Sequence, residues 1–252
     1  MLAKFDPIRE RQLWLDYGLK VETEFAPNTI PSAARPGYTA QIVNSVINAY
    51  WVGLSDHVRP TLEQIVAWME TQSAPKSAVY SWQRTLGLSK WLSRGDGGKE
   101  HFAAAIDVRW QDWQRPSTDK LAENREGRQE ILSQCLAMAL TANVPALGLK
   151  LYEAARVQRP SNDQAPLLQF GRWACEHLAR GGDRDATFIA RGADMLRASL
   201  LPDFFWGGNR TEPALWLKAI YWDSGAARTP EQAIARAYDS MPGVERPEFV
   251  PR

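Results

Sequence analysis

Residues 128–178 read RQEILSQCLAMALTANVPALGLKLYEAARVQRPSNDQAPLLQFGRWACEHL, and this stretch decides the fold. Ile131, Leu132, Cys135, Leu136 and Ala139 recur at steps of three and four, the spacing that gathers apolar side chains on one face of an α-helix. Leu147, Leu151 and Ala154/Ala155 form a second such stripe, and Leu167, Gly171, Ala174 and Leu178 a third. The breaks between them are short and carry turn formers, Asn143-Val144-Pro145 and then Arg159-Pro160-Ser161-Asn162. Helices joined so tightly run antiparallel and bury their stripes against one another. The spacing therefore predicts three packed helices with Leu132, Leu136, Leu151 and Leu178 inside.

Toward the amino terminus the same reading continues. Asp6-Pro7 opens a helix, Asp6 as cap and Pro7 at the first helical position, with Ile8, Leu13, Trp14, Tyr17 and Val21 as the stripe facing the domain. Residues 26–38 carry Pro27, Pro31, Pro36 and Gly37 and are expected to form a strap across the surface. Thr39 is the expected cap of a wide-faced central helix with Ile42, Val43, Val46, Ile47, Tyr50, Trp51 and Leu54. Pro60 should start a third helix, and Pro75 precedes a fourth that ends at Gly95-Asp96-Gly97-Gly98. Gly98-Lys99 follows a helix and lacks the first glycine of a phosphate loop, so a cap and turn are expected there. A fifth helix carries Phe102, Ile106, Trp110 and Trp113 up to Pro116, and residues 119–129 read as a solvated, mixed-charge lead into the organising stretch.

Downstream, Gly181-Gly182 stop one helix and Asp183 is the expected cap of the next, with Ile189, Ala193, Leu196 and Leu200 inward and Pro202 as its end. Residues 203–210 (DFFWGGNR) are too apolar for an ordinary loop and too glycine-rich for a helix. Glu212-Pro213 opens a helix with Leu215, Trp216, Ala219, Ile220 and Trp222, and Thr229-Pro230-Glu231-Gln232 is a capping box. Residues 242–252 read as a tail. No sustained two-residue alternation competes, so the fold class is all-α: one multi-helix domain over 1–252, with helix pairs and an irregular repeat-like second half.

The 252 residues are 44% apolar, with a net charge of +1 and acids and bases mixed throughout. That argues against the basic face nucleic-acid binding needs, leaving room only for local patches. No apolar run approaches the roughly 18 residues of a membrane span, and the charged first 25 residues do not resemble a signal peptide, so a cytoplasmic location is expected. Cys135 and Cys175 fall on helical stripes and should be reduced core thiols. His57, His101 and His177 each follow an acid, yet adjacent helix residues diverge by about a hundred degrees and should not form dyads. None sits in a helical metal signature, and no nucleophile elbow or dinucleotide turn occurs. No catalytic residue, metal ligand or cofactor is assigned.

Eleven tryptophans are more than such a core needs, and tryptophan favours both cores and binding hot spots. Recognition is expected to draw on Asp203, Trp206 and Arg210, with Trp206 and Arg210 as anchors held outward by Gly207-Gly208; the competing reading makes Phe204, Phe205 and Trp206 a plug. The helix RERQLWLDYGL, the proline-rich strap and the tryptophan-rich segments HFAAAIDVRWQDW and PALWLKAIYW together resemble the all-helical immunity proteins that neutralise bacterial polymorphic toxins. That resemblance implies a cytoplasmic inhibitor with one protein partner, its cognate toxin, and carries no residue roles. The alternatives are a helical enzyme with a small-molecule pocket lined by tryptophan and arginine and a histidine as acid–base group, or an adaptor in a larger assembly.

Overall fold

A helix whose apolar residues run almost all round must be enclosed by others. Helix α6 (Arg125–Thr141) is that helix: every residue from Leu132 to Thr141 is buried. The computed structural model describes residues 6–24, 35–114, 125–158, 165–207 and 210–250, and all regular structure among them is helical. Against α6 pack α7 (Pro145–Gln158), α8 (Pro166–Ala179), α5 (Lys99–Gln114) and α11 (Thr211–Leu217). Asn143, at φ 58°, makes the turn into α7, a left-handed position that asparagine tolerates.

On the amino-terminal side, α2 (Arg35–Trp51), α3 (Ser55–Glu70) and α4 (Val79–Arg94) pack in sequence and α4 packs on α5. All seven apolar residues expected inside α2, Ile42 to Leu54, are buried. Gly95 ends α4 at φ 69°. At Gly98, φ 54°, a Cβ would lie 2.6 Å from Gly87 Cα, so glycine is what lets α5 start against the back of α4. One hydrophobic cluster runs through these helices and on to Val250.

Several boundaries differ from the sequence reading. Helix α2 starts at Arg35, so Thr39 is a buried helical residue and not a cap, and residues 35–38 are helical; the rest of the expected strap, up to 34, lies outside the described residues, as do 115–124 of the stretch beyond α5. Helix α3 starts five residues before Pro60, which is tolerated inside it. Asp185 caps α9 (Ala186–Met195), accepting from Phe188 N–H at 2.9 Å, while the Asp183 carbonyl instead accepts from His177 Nε2 at 2.8 Å. The buried face of α9 is correspondingly Phe188, Gly192 and Met195. Leu196 to Leu200 then form a π turn, and the chain continues as α10 (Leu201–Gly207), so Pro202 does not end the helix. The wider turn explains it: Leu201 N–H reaches back to Leu196 C=O just before proline withdraws a donor. In α8 the inner face is Leu168, Phe170, Gly171, Ala174 and Cys175; Leu178 shares that side but sits half-buried in the last turn.

Candidate partner-binding groove

The stretch expected to bind a partner is helical up to Gly207, and those of its side chains that are described are buried. Phe204 and Phe205 are buried, with Phe204 3.9 Å from the Trp51 ring and Phe205 5.2 Å from Tyr238. The plug reading therefore holds for these two rings. The side chains of Asp203 and Trp206 lie outside the described residues. Arg210 is 7% exposed: it reaches the Glu10 carboxylate with both Nη atoms and lies 4.8 Å over the Phe204 ring. Its guanidinium thus faces inward, where it fastens α1 (Pro7–Glu24) to the body.

Helix α1 is attached in an unusual way. Asp6 caps it, Oδ1 accepting from Ile8 N–H at 3.0 Å and Arg9 N–H at 3.1 Å. Its inward face then carries charge, Glu10 to Arg210 and Arg11 to the carbonyls of Val52 and Gly53 at 2.7 and 2.9 Å. These carbonyls follow the last residue of α2, where helical partners run out, so Arg11 satisfies groups that would otherwise need water. Trp14 adds a half-buried apolar contact. Two members of the expected stripe do not face the domain, Ile8 at 71% exposed and Leu13 at 47%; Leu15, outside that stripe, is 36% exposed. Tyr17 and Val21 have side chains outside the described residues. The polar grip of Glu10 and Arg11 sets the rotation of this part of the helix and turns Ile8, Leu13 and Leu15 out.

Beside α1 the segment after α12 (Pro230–Ser240) folds back instead of trailing away. Phe249 lies under the Arg11 guanidinium at 4.6 Å, and a Cβ on Gly53 (φ 69°) would sit 2.4 Å from Phe249 O, so only glycine admits the segment this close. Between this segment and α1 lies a groove of about 860 Å³. Ile8, Leu15, Phe205, Val244 and Pro247 supply its apolar lining. Asp6, Glu245 and Glu248 stand at its exposed edge. Sequence reasoning missed it because two chain ends some 230 residues apart build it. The available signal was the charged triplet Arg9-Glu10-Arg11, which interrupts the α1 stripe.

No family model, curated protein or solved structure matches this chain.

The remaining chemistry is enclosed or dispersed. Each histidine has its own surroundings: His57 is exposed, His177 stacks on Trp173, and His101 Nδ1 contacts Gln83 Oε1 at 2.8 Å. Contrary to the expectation for adjacent residues, His101 Nε2 lies 3.2 Å from Glu100, because Lys90 of α4 draws both side chains to one side. Burial holds the His101 pKa below its usual value. Among the described residues no group of three His, Cys, Asp or Glu is placed to hold a metal. Cys135 and Cys175 are buried thiols, pushed up to about 12 by desolvation.

A polar cluster crosses the centre. Ser133 donates to Glu212, Trp216 Nε1 donates to Ser133 Oγ at 3.1 Å, and Arg84 and Tyr80 both donate to Gln134 Oε1. Ser133 and Trp216 have no exposed surface, so this serine is locked and offers no reacting atom to a substrate. Burial, aided by Glu130, pushes the Glu212 carboxyl up to about 7, against the lowering effects of Ser133, Trp216 and Arg84. The folded state therefore holds this proton where the unfolded chain, near 4.5, has lost it. Stability from this group is full below about 4.5 and falls as pH rises to about 7. Chemical denaturation across that window should show a loss on the order of 2–3 kcal/mol that Glu212→Gln abolishes. An unchanged pH profile in Glu212→Gln would contradict the assignment.

Proposed function

We propose that this protein is a stoichiometric protein-binding protein acting through the groove between α1 and residues 243–249, and that its specific form is an immunity protein holding a cognate bacterial toxin. One observation carries the reading: among the described residues the exposed large apolar side chains, Ile8, Leu13 and Leu15, all lie on α1, and two of them line the groove. Contiguous exposed apolar surface rimmed by polar groups is the usual mark of a protein interface. The helical body supports this, because a rigid surface loses little entropy on binding. The toxin-immunity form rests on the resemblance in architecture. No described helix is long and apolar enough to cross a membrane.

The double variant Ile8→Asp/Leu15→Asp tests the groove. The protein purified from its native cells should carry one partner at equal stoichiometry. The variant should lose it, with affinity reduced by at least about 30-fold, the scale of a hot spot. Thermal stability should fall far less than binding does, since Ile8 is 71% and Leu15 36% exposed and neither belongs to the core. A partner retained at full affinity by the variant would rule out this site. Rescue of cells from the partner's toxicity by the wild type and not the variant is the outcome expected of an immunity protein.

A further inference from the structure

We propose that the groove takes an apolar segment of the partner flanked by lysine or arginine, a chemistry set by the apolar floor and the acidic edge around it. This rests on the protein-binding reading of the same groove and adds the character of what binds. The charges that line it are not equivalent. Arg11 is turned to the wall, spent on the Val52 and Gly53 carbonyls and stacked over Phe249. Arg246 is half-buried and balanced by Asp239 at 3.3 Å. By contrast Asp6, Glu245 and Glu248 are exposed, and among the described residues none of the three has an ion pair; Asp6 uses one oxygen to cap α1. The positive groups therefore hold the groove together, and the negative ones face whatever enters.

The apolar floor sets the shape of the occupant. Ile8 and Leu15 are seven residues apart, with Arg11 and Gln12 between them on the same face, so α1 offers a ridge about two turns long. The far wall, Val244 and Pro247, is apolar at similar reach. A helix laid between them would bury one stripe of its own, and basic residues beside that stripe would meet Asp6 at one edge and Glu245 and Glu248 at the other. An acidic segment would put like charges together on both edges.

Two synthetic helical peptides test this, alike in their leucine stripe and differing only in carrying lysine or glutamate beside it. In calorimetry against the full chain, the lysine peptide should bind at least ~10-fold tighter at low salt, and added salt should shrink the difference. Glu245→Lys/Glu248→Lys should reverse the preference with melting temperature unchanged, and Ile8→Asp/Leu15→Asp should abolish binding of both peptides. Equal affinities, or a preference untouched by the charge reversal, would overturn the proposal. So would failure of both peptides to bind, or persistence of binding in the Ile8→Asp/Leu15→Asp variant. A concentration-dependent dimer in sedimentation, lost in that variant, would assign the groove to a second copy and also overturn it. Equal binding that still depends on Ile8 and Leu15 would sink only the charge assignment. Retention of the native partner by the Ile8→Asp/Leu15→Asp variant would sink the binding reading itself.

Discussion

Asp223→Ala should lower stability by about 3–5 kcal/mol, the cost of stranding buried charge. Lys218 has no exposed surface, and its Nζ lies 2.8 Å from Asp223 Oδ1. Arg184 comes within 3.4 Å of Oδ2 and donates to the carbonyls of Ala219 and Leu140. One carboxylate thus sits between two cations. In a regular α-helix, side chains five apart diverge by about 140° and could not meet. Here Lys218 to Trp222 form a π turn closed by Asp223 N–H to Lys218 C=O at 2.9 Å, which swings both residues to one side. Burial already holds the Lys218 pKa below its ordinary 10.5, and losing Asp223 lowers it further. The folded variant then binds fewer protons than the unfolded chain, so its stability should rise with pH between that lowered value and 10.5. Urea unfolding across that range would show the slope. Adding Lys218→Met to the variant should flatten it and recover the part of the loss due to the stranded ammonium, while Arg184, still without its carboxylate, keeps the remainder. A loss below about 1 kcal/mol would mean that water reaches the site.

This ion cluster was not legible in the sequence, and the reason is general. Local chemistry speaks clearly: Asp6 and Thr229 cap where their spacing says they should, Thr229 Oγ1 accepting from Gln232 N–H at 3.2 Å, and Gly95 ends α4 in a left-handed turn. Stripes on enclosed helices, α2 and α6 above all, also read correctly, since almost any register there is buried. What failed were features decided by a distant partner. Arg210 looks like an interface anchor until Glu10, two hundred residues away, claims it. The π turns have no local signature, so Pro202 read as an end and Asp203 onward as neither helix nor ordinary loop, whereas α10 runs to Gly207. Part of the tryptophan surplus has a tertiary use as well. Trp51, Trp82, Trp91 and Trp216 are buried, and Trp216 packs at a tilt on Phe170, which in turn meets Phe188, where Trp173 also packs. Much of the excess fills the joints between helices. The groove itself is tertiary, built from α1 and a segment at the other end of the chain.

Leu136→Ala should cost about 2–5 kcal/mol, toward the upper part of that range, because nothing around the site can move in. Leu136 is fully buried on α6 and faces glycines on both neighbouring helices. A Cβ at Gly171 of α8 would lie 2.8 Å from Leu136 Cδ1, and one at Gly148 of α7 3.6 Å from Cδ2. The leucine thus packs closest over Gly171 and also touches the space over Gly148, which Ala139 and Cys175 approach to 2.9 Å. Truncating it leaves a void lined by helix backbone, and helices do not collapse into a cavity as side chains do. The same geometry predicts a coupling. Gly171→Ala alone should be destabilising, since the new methyl meets Leu136 at 2.8 Å and the Trp216 ring at 3.1 Å. In the Leu136→Ala background the 2.8 Å clash with Cδ1 is gone, leaving the tighter-than-usual approaches of the Trp216 ring at 3.1 Å and the residue-136 Cβ at 3.2 Å, and the double variant should be more stable than the sum of the single losses predicts by about 0.5–3 kcal/mol. Unfolding of all four proteins in urea closes the cycle. Simple additivity would show that α6 and α8 do not touch through these residues, and that the three-helix packing inferred from their spacing is set in another register.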